Sequence, residues 1–190
     1  MPKIGFRDLY VAVMDVETDV ENGTVTYQEP IKVSEAISGG FTPNVSEAVL
    51  YADDRQTDRI DSIVGYDISL ETRDLSPEIE AELLGYKVDA NGGVLRTSDA
   101  QAPFVALMFR SQLANGEFEY NVLYKVKFAP VTKNNETKGE NITFQTPTIT
   151  GSSLPRMSDG SLDYTVVLPS DSPIANTWFE SVYEFEEAGV

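Results

Sequence analysis

The sequence predicts a mainly β protein with one flanking α-helix at about residues 76–84, in a single domain of residues 1–190 with arms at both termini. Residues 63–71 alternate between apolar and polar side chains, which is the period of a strand with one buried face. Two longer apolar runs flank Asn115-Gly116, the strongest short-range hairpin signal. Only one stretch combines helical spacing with start and stop signals.

The first third of the chain alternates between predicted strands and breaks. Residues 9–16 and 24–33 have the apolar content of strands and are separated by an acidic turn. Residues 34–44 contain Gly39-Gly40 and Pro43, which predicts a loop. Residues 45–52 suit either a strand or a short helix.

The helix prediction rests on local signals in residues 74–85. Ser76 suits the N-cap, and Pro77 occupies a first-turn position where its missing N–H costs nothing. Glu78 favours the positive end of the helix dipole, and Gly85 is a typical C-terminal stop. This helix follows directly after the alternating strand.

The hairpin around Asn115-Gly116 is expected to pair residues 103–113 with residues 117–128. One face of the second strand is apolar and the other is largely polar, which predicts ordinary core rather than an aromatic binding stripe. The apolar face comprises Phe118, Tyr120, Val122, Tyr124, Val126 and Phe128, and the opposite face Glu119, Asn121, Lys125 and Lys127, interrupted by Leu123.

The last third of the chain is expected to add two strands. Residues 132–140 are a polar loop by composition, and residues 141–150 and 162–168 have strand patterns. The C-terminal stretch 176–187 suits a helix or a strand.

Composition excludes several classes of chemistry. The chain has no histidine and no cysteine, which removes His-dependent nucleophile systems, thiolate zinc sites and disulfides. A net charge of −17 argues against nucleic-acid binding, which needs basic patches. No signal peptide and no membrane-spanning run is expected.

One cluster of carboxylates has spacing that suggests a cation site, because hard cations prefer oxygen ligands. The cluster lacks the glycine and terminal glutamate of a calcium loop, and two arginines offset its charge. We therefore expect a solvated or subunit-contacting loop. Its residues are Asp53, Asp54, Asp58 and Asp61, with Arg55 and Arg59 between them.

No catalytic motif stands out. Glycoside hydrolysis needs only two carboxylic acids, but nothing marks one pair among the 31 acidic residues. Phosphate-binding and nucleophile-elbow patterns do not occur. The sequence thus predicts no enzyme, no metal site and no cofactor.

Five stretches matter through their order and spacing along the chain. They are AVLYADD at 48–54, LLGYKVD at 83–89, PFVALMFR at 103–110, YKVKF at 124–128, and FQTP at 144–147 with Gly151. Together they resemble the major tail protein of long-tailed bacteriophages, in the branch found in phages of Gram-positive hosts. The resemblance covers most of the chain, with less in the first forty and last twenty residues.

This resemblance implies a β-sandwich with a flanking helix that assembles into hexameric rings. The rings stack into a hollow tail tube with a continuous inner β-barrel, through which DNA passes without specific binding. Tape measure and tail terminator or initiator proteins are the implied partners, without membrane insertion. The implied location is the virion tail, after synthesis in the host cytoplasm.

Long polar loops in compact domains are often functional, so residues 34–44, 53–61 and 132–140 are expected to include the arms that bridge rings. The candidate contact residues are Asp53, Asp54, Arg55, Asp58, Arg59, Asp61, Lys133 and Lys138.

Two alternatives stay open on sequence alone. One is the tube subunit of a phage-tail-like bacteriocin, or a tail-completion protein. The other, from a different class, is a glycan-binding or glycan-hydrolysing β-sandwich, which would require exposed aromatic side chains and a conspicuous acid pair.

Overall fold

The computed structural model describes residues 1–52, 55–132, 146–169 and 171–186. Strands dominate, as predicted, and the longer of the two α-helices follows the predicted alternating strand; a short 3-10 helix spans Val16–Thr18. The strands are β1 (Lys3–Val13), β2 (Ile31–Ser34), β3 (Ala36–Ala52), β4 (Arg55–Thr72), β5 (Lys87–Val88), β6 (Val94–Leu95), β7 (Val105–Leu113), β8 (Phe118–Phe128), β9 (Thr148–Ser153) and β10 (Asp163–Leu168); the helices are α1 (Pro77–Leu84) and α2 (Pro173–Thr177).

The main sheet is antiparallel and curls back on itself. Its strand order is β2-β1-β7-β8-β9-β4-β3, and β10 pairs with the part of β8 that β9 leaves free. Because only Glu35 separates β2 from β3, the two ends of this path meet and the sheet forms a barrel-like shell. The short strands β5 and β6 form a separate hairpin.

The inside of the shell holds the larger apolar core, and α1 lies against one end of it. Leu83 and Leu84 of the helix are buried with Leu70, Val105 and Ile149 from the surrounding strands. Burial of such side chains stabilises a fold by about 1.5–3 kcal/mol each. The helix therefore depends on the shell for its stability more than on its own short length.

The local signals for α1 are confirmed by its geometry. The Ser76 side chain accepts a hydrogen bond from the Ile79 N–H at 3.3 Å. Gly85 ends the helix with φ of 69°, and a Cβ there would lie 2.2 Å from the Gln101 carbonyl oxygen. Glycine is required at this position on both counts.

The outside of β1, β7 and β8 carries a second apolar core under the C-terminal segment. Trp178 is buried there against Tyr120, with ring centroids 5.4 Å apart. Helix α2 ends at Thr177, and residues 178–186 form neither a helix nor a strand. The predictions of a helix or a strand over 176–187 are therefore both wrong for most of that stretch. Aromatic packing, and not regular backbone hydrogen bonding, holds this segment in place.

The predicted six-residue apolar face of β8 is wrong in one respect. Val105 pairs with Val126 and Leu107 with Leu123, so β8 contains an extra residue between these partners. Such a bulge reverses the side on which the following side chains lie. Phe118, Tyr120, Val122 and Tyr124 belong to the outer core, whereas Leu123, Val126 and Phe128 belong to the inner one.

The prediction of a loop over residues 34–44 is also wrong, because residues 36–44 lie in β3. Gly39 allows the strand to pass close to β1, since a Cβ there would lie 2.8 Å from the Phe6 ring. The glycine thus serves a close approach rather than a turn. Residues 24–33 form a strand only from Ile31, after an isolated bridge between Met14 and Tyr27.

The remaining strand predictions fare better. Residues 45–52 form a strand and not a helix, the hairpin at Asn115-Gly116 is present, and residues 163–168 form β10. The predicted strand at 141–150 is confirmed from Thr148, while residues 141–145 and most of the predicted loop at 132–140 lie outside the described residues. Within the described chain, neither helix has the length and apolar character needed to cross a bilayer.

Candidate assembly surfaces

The β3–β4 hairpin extends beyond the body of the protein. Strand β9 pairs with β4 only between Tyr66 and Glu71, whereas β3 and β4 continue to pair with each other as far as Ala52 and Arg55. Residues 45–52 and 55–63 therefore form a two-stranded arm. An isolated hairpin of this kind is marginally stable in water by itself.

The arm contains part of the predicted contact cluster, but as a strand rather than a loop. Arg55, Asp58, Arg59 and Asp61 lie on β4, opposite Ala52, Leu50, Val49 and Glu47 of β3. Apolar alternation marks only half-buried strands, so its absence from this polar stretch did not exclude a strand. Asp53, Asp54, Lys133 and Lys138 lie outside the described residues.

The base of the arm exposes apolar side chains. Val45 and Ile63 face each other across the hairpin and are 48% and 50% exposed. Val64 is similarly exposed. It is the unpaired residue of a bulge on β4, because Gly65 pairs with Asn44 and Ile63 pairs with Val45. Clustered exposed apolar side chains mark surfaces that another molecule covers.

A second surface is the outer face of β3, β4, β9 and the end of β8, which we call the polar sheet face. The register brings short hydroxyl, amide and carboxylate side chains to this face, while Ile68, Leu70 and Ile149 point into the core. Its members are Ser38, Gly40, Thr42, Asn44, Asp67, Ser69, Glu71, Lys127, Thr148, Thr150 and Ser152.

Hydrogen bonds fix the carboxylates of the polar sheet face. Asn44 Nδ2 donates to Asp67 Oδ1 at 3.0 Å, and Ser38 Oγ donates to Glu71 Oε2 at 3.2 Å. Thr146 Oγ1 donates to the other oxygen of Glu71 at 2.6 Å. The result is a hydrophilic surface of mostly short side chains, on which hydrogen bonds hold the two carboxylates in place.

The opposite side of the molecule is covered instead of bare. The Phe179 ring stacks on Tyr10 at 4.6 Å, and the Tyr183 ring stacks on Trp178 at 5.1 Å. Aromatic stacking of this kind adds about 0.5–1.5 kcal/mol beyond area burial. The C-terminal segment thus shields the outer apolar core from water.

An ion-pair cluster around Arg156 fastens this segment. The buried Arg156 guanidinium binds both oxygens of Glu184 at 2.8 and 2.9 Å and pairs with Asp159. It also lies 4.1 Å from the centre of the Tyr124 ring. Burial alone would raise the pKa of Asp159, but hydrogen bonds from Arg156 and Ser161 outweigh it and lower the pKa to about 2.

A neighbouring pair joins Lys125 and Asp19. The Asp19 carboxylate is buried, contacts Lys125 Nζ, and accepts N–H bonds from Met157 at 2.8 Å and Ser158 at 3.1 Å. Burial opposes ionisation, but these hydrogen bonds dominate and lower the pKa of Asp19. The sequence pattern placed Lys125 on the polar face of the second hairpin strand and gave no signal for Asp19 or Arg156.

A model of the phage tail tube protein family matches residues 44–185, well over half of the chain. The chain belongs to the phage tail tube protein family. It is accordingly a structural protein of the virion tail. None of the curated proteins matches this chain.

The tail tube match begins at Asn44, where the arm leaves the body, and ends within the C-terminal segment. It therefore includes the arm, three strands of the polar sheet face and the Arg156 cluster. The described parts of the stretches that carry the resemblance lie on the arm, at the end of α1 and in β5, on β7 and β8, and just before and within β9. Residues 53–54 and 144–145 lie outside the described residues. Of the described residues, no group of three or more acidic side chains is placed to hold a metal ion.

Proposed function

We propose that copies of this tail tube protein form hexameric rings that stack into a hollow tube, with the polar sheet face lining the bore. The observation that carries this proposal is the contrast between the two outer faces. One is bare and made mostly of short polar side chains, and the other is covered by the C-terminal segment. A wide bore favours short side chains because long ones would narrow it.

The chemistry of the polar sheet face suits the passage of DNA. Asp67 and Glu71 repel phosphates, and Lys127 is the one cation among the residues named for this face. Repulsion between exposed charges extends roughly 8 Å at physiological salt, so only groups on the bore act directly on DNA. Hydroxyl groups offer hydrogen bonds but no charge that would retain the backbone.

The arm is the element that we assign to contacts between rings. It projects from the body, exposes Val45, Ile63 and Val64 at its base, and carries charged residues toward its end. These apolar side chains become buried when a copy in the next ring covers them, which offsets the cost of ordering the hairpin. Tape measure and tail terminator or initiator proteins would bind within or at the ends of the tube, after synthesis of the chain in the host cytoplasm.

Electron microscopy of the concentrated purified protein, with and without a tail initiation complex, tests this proposal. We expect stacked rings with a central channel. A chain that stays monomeric in the presence of the initiation complex would contradict it.

A further inference from the structure

Strand β10 has a free edge whose unpaired groups the register identifies. The Tyr124 N–H donates to the Leu162 carbonyl oxygen at 3.1 Å, and Asp163 lies opposite Leu123. In an antiparallel ladder this pattern turns the N–H and C=O of Asp163, Thr165 and Val167 away from β8. No other described strand pairs with that side of β10.

The free edge borders a gap in the shell. Strands β4 and β9 separate at Gly65, where a Cβ would lie 2.3 Å from the Ser153 carbonyl oxygen. On the arm side of Gly65, β4 pairs only with β3. The chain after β9 turns back and pairs with β8 as β10. A hydrogen bond of 3.0 Å from Tyr66 Oη to Asp163 Oδ1 crosses the gap where it begins.

An apolar groove with a volume of about 510 Å³ opens into this gap. Phe6, Phe41, Phe109 and Leu123 line its floor, and Lys3 and Asp163 lie among its polar lining residues. Phe41 and Phe109 stack there with their centroids 4.7 Å apart. A strand added to the edge of β10 would cover part of this groove.

Charge limits which strand of a second copy fits this site. Each copy carries a net charge of −17, so close contact requires segments with few charges. Strand β10 has no charged residue after Asp163. On the arm, the outer edge of β4 includes Arg55, Asp58, Arg59 and Asp61, whereas β3 contains the uncharged run AVLYA at residues 48–52.

Length and alternation agree with the β3 edge as the partner. The run at 48–52 is similar in length to β10, which has 6 residues. Successive side chains of an added strand point to opposite sides, and both alternating sets of this run, Ala48 with Leu50 and Val49 with Tyr51, are apolar or aromatic. Either register would present such side chains to the groove.

We propose that the outer edge of β3 at residues 48–52 of one copy pairs with the free edge of β10 in a second copy and covers part of the groove. This contact rests on the proposed function, the assembly of a tube. Because it joins two different surfaces of identical chains, it can repeat along the tube. Main-chain pairing supplies the affinity, and the groove accepts the side chains.

Disulfide trapping tests the pairing, because the native chain contains no cysteine that could interfere. We would combine Val167→Cys with Val49→Cys, Leu50→Cys or Tyr51→Cys in turn, and oxidise assembled tubes. The matched control combines Val167→Cys with Arg59→Cys on the other strand of the arm. A disulfide requires Cα atoms within about 7 Å.

We expect covalent ladders of multimers from at least one β3 combination and none from the control. Tubes that form normally but give no ladder with any of the three combinations, or give one only with the control, would overturn the pairing and leave the tube function intact. A wild-type chain that forms no tubes with its initiation complex would overturn both.

A second variant tests the same edge without cysteines. Val167→Pro removes an outward N–H without removing a bond to β8, and Val167→Thr keeps that N–H. Both should fold, as reported by Trp178 emission, because Trp178 stacks on Tyr164 of β10 at 6.3 Å. We expect at least a tenfold loss of tube assembly for Val167→Pro alone, and equal assembly by both variants would contradict the pairing.

Discussion

Gly65 of β4 packs directly against the carbonyl oxygen of Ser153 in β9, at a distance that leaves no room for a side chain. This contact holds the strands together up to the point where the arm leaves the body. Tyr66 N–H also donates to Ser153 Oγ at 2.9 Å, so two neighbouring residues of β4 hold the same residue of β9. The two strands are therefore in close contact at the point where the arm leaves the body.

Replacement of Gly65 by alanine should destabilise the protein by about 1–3 kcal/mol, because β4 or β9 must move. The matched control is Gly40→Ala, where the nearest atom to a Cβ is the Ser69 carbonyl oxygen at 3.8 Å. Urea unfolding followed by Trp178 fluorescence measures both. Equal stabilities of the two variants would show that the contact at Gly65 does not constrain the strands.

Arg156→Met should release the C-terminal segment. The change removes the ion-pair partner of Glu184 and Asp159. We expect the free energy of unfolding to fall by about 1–3 kcal/mol. This is less than for a fully buried ion pair, because both carboxylates are partly exposed. Arg156→Lys should recover only part of the loss of stability, since a lysine ammonium cannot bind Asp159 through the planar fork of Nε and Nη2 while a third nitrogen binds Glu184. A dissolved quencher should quench Trp178 fluorescence more strongly in Arg156→Met than in the wild type. Equal quenching in the two proteins would contradict release of the segment.

Acid should weaken the same cluster. The pKa of Asp159 is lowered from 3.8 to about 2 in the folded protein, so its ionised form stabilises the fold above pH 3.8. That contribution is lost as the pH falls from 3.8 through about 2, when the carboxylate takes up a proton. Urea unfolding at several pH values should show a shallower acid-side decline for Asp159→Asn than for wild type. Superimposable pH profiles would exclude Asp159 as a source of this dependence.

Shortening the arm should separate ring stacking from folding. Residues 47–61 can be replaced by Asn-Gly, because Ser46 and Ser62 are cross-strand partners that such a turn can join. The body should keep its thermal stability and its Trp178 emission, since the inner and outer cores are untouched. Electron microscopy should then show no tubes. Normal tubes would show that rings stack without the arm.

Reversal of charge on the polar sheet face should make the bore retain DNA. In tubes carrying Asp67→Lys and Glu71→Lys, we expect DNA to bind at low salt and dissociate as salt increases, because counterion release drives such binding. Glu180→Lys combined with Glu186→Lys on the C-terminal segment serves as the control, because it makes the same change in net charge away from that face. Equal DNA retention by both kinds of tube would contradict a bore lined by Asp67 and Glu71.

Sequence reasoning succeeded where local chemistry determines structure. Ser76, Pro77 and Gly85 define α1 by their own capping geometry, and Asn115-Gly116 defines the β7–β8 turn. These signals need no knowledge of distant residues.

It failed where a distant neighbour determines the outcome. Gly39 suggests a break, but it lies within β3, where the missing side chain leaves room for the Phe6 ring of β1. Lys125 follows a polar alternation, yet a bulge and the distant Asp19 bury it. The polar sheet face becomes visible only when the registers of four strands are known, so sequence alone could not select the surface that we assign to the bore.

Thiol accessibility tests the assignment of the polar sheet face to the bore most directly. The chain has no native cysteine, so Thr150→Cys on that face and Glu180→Cys on the C-terminal segment each provide a single label site. In assembled tubes, Thr150→Cys should react with a small maleimide but not with a protein-sized one, while Glu180→Cys reacts with both. Rapid labelling of Thr150→Cys by the protein-sized reagent in intact tubes would contradict the account.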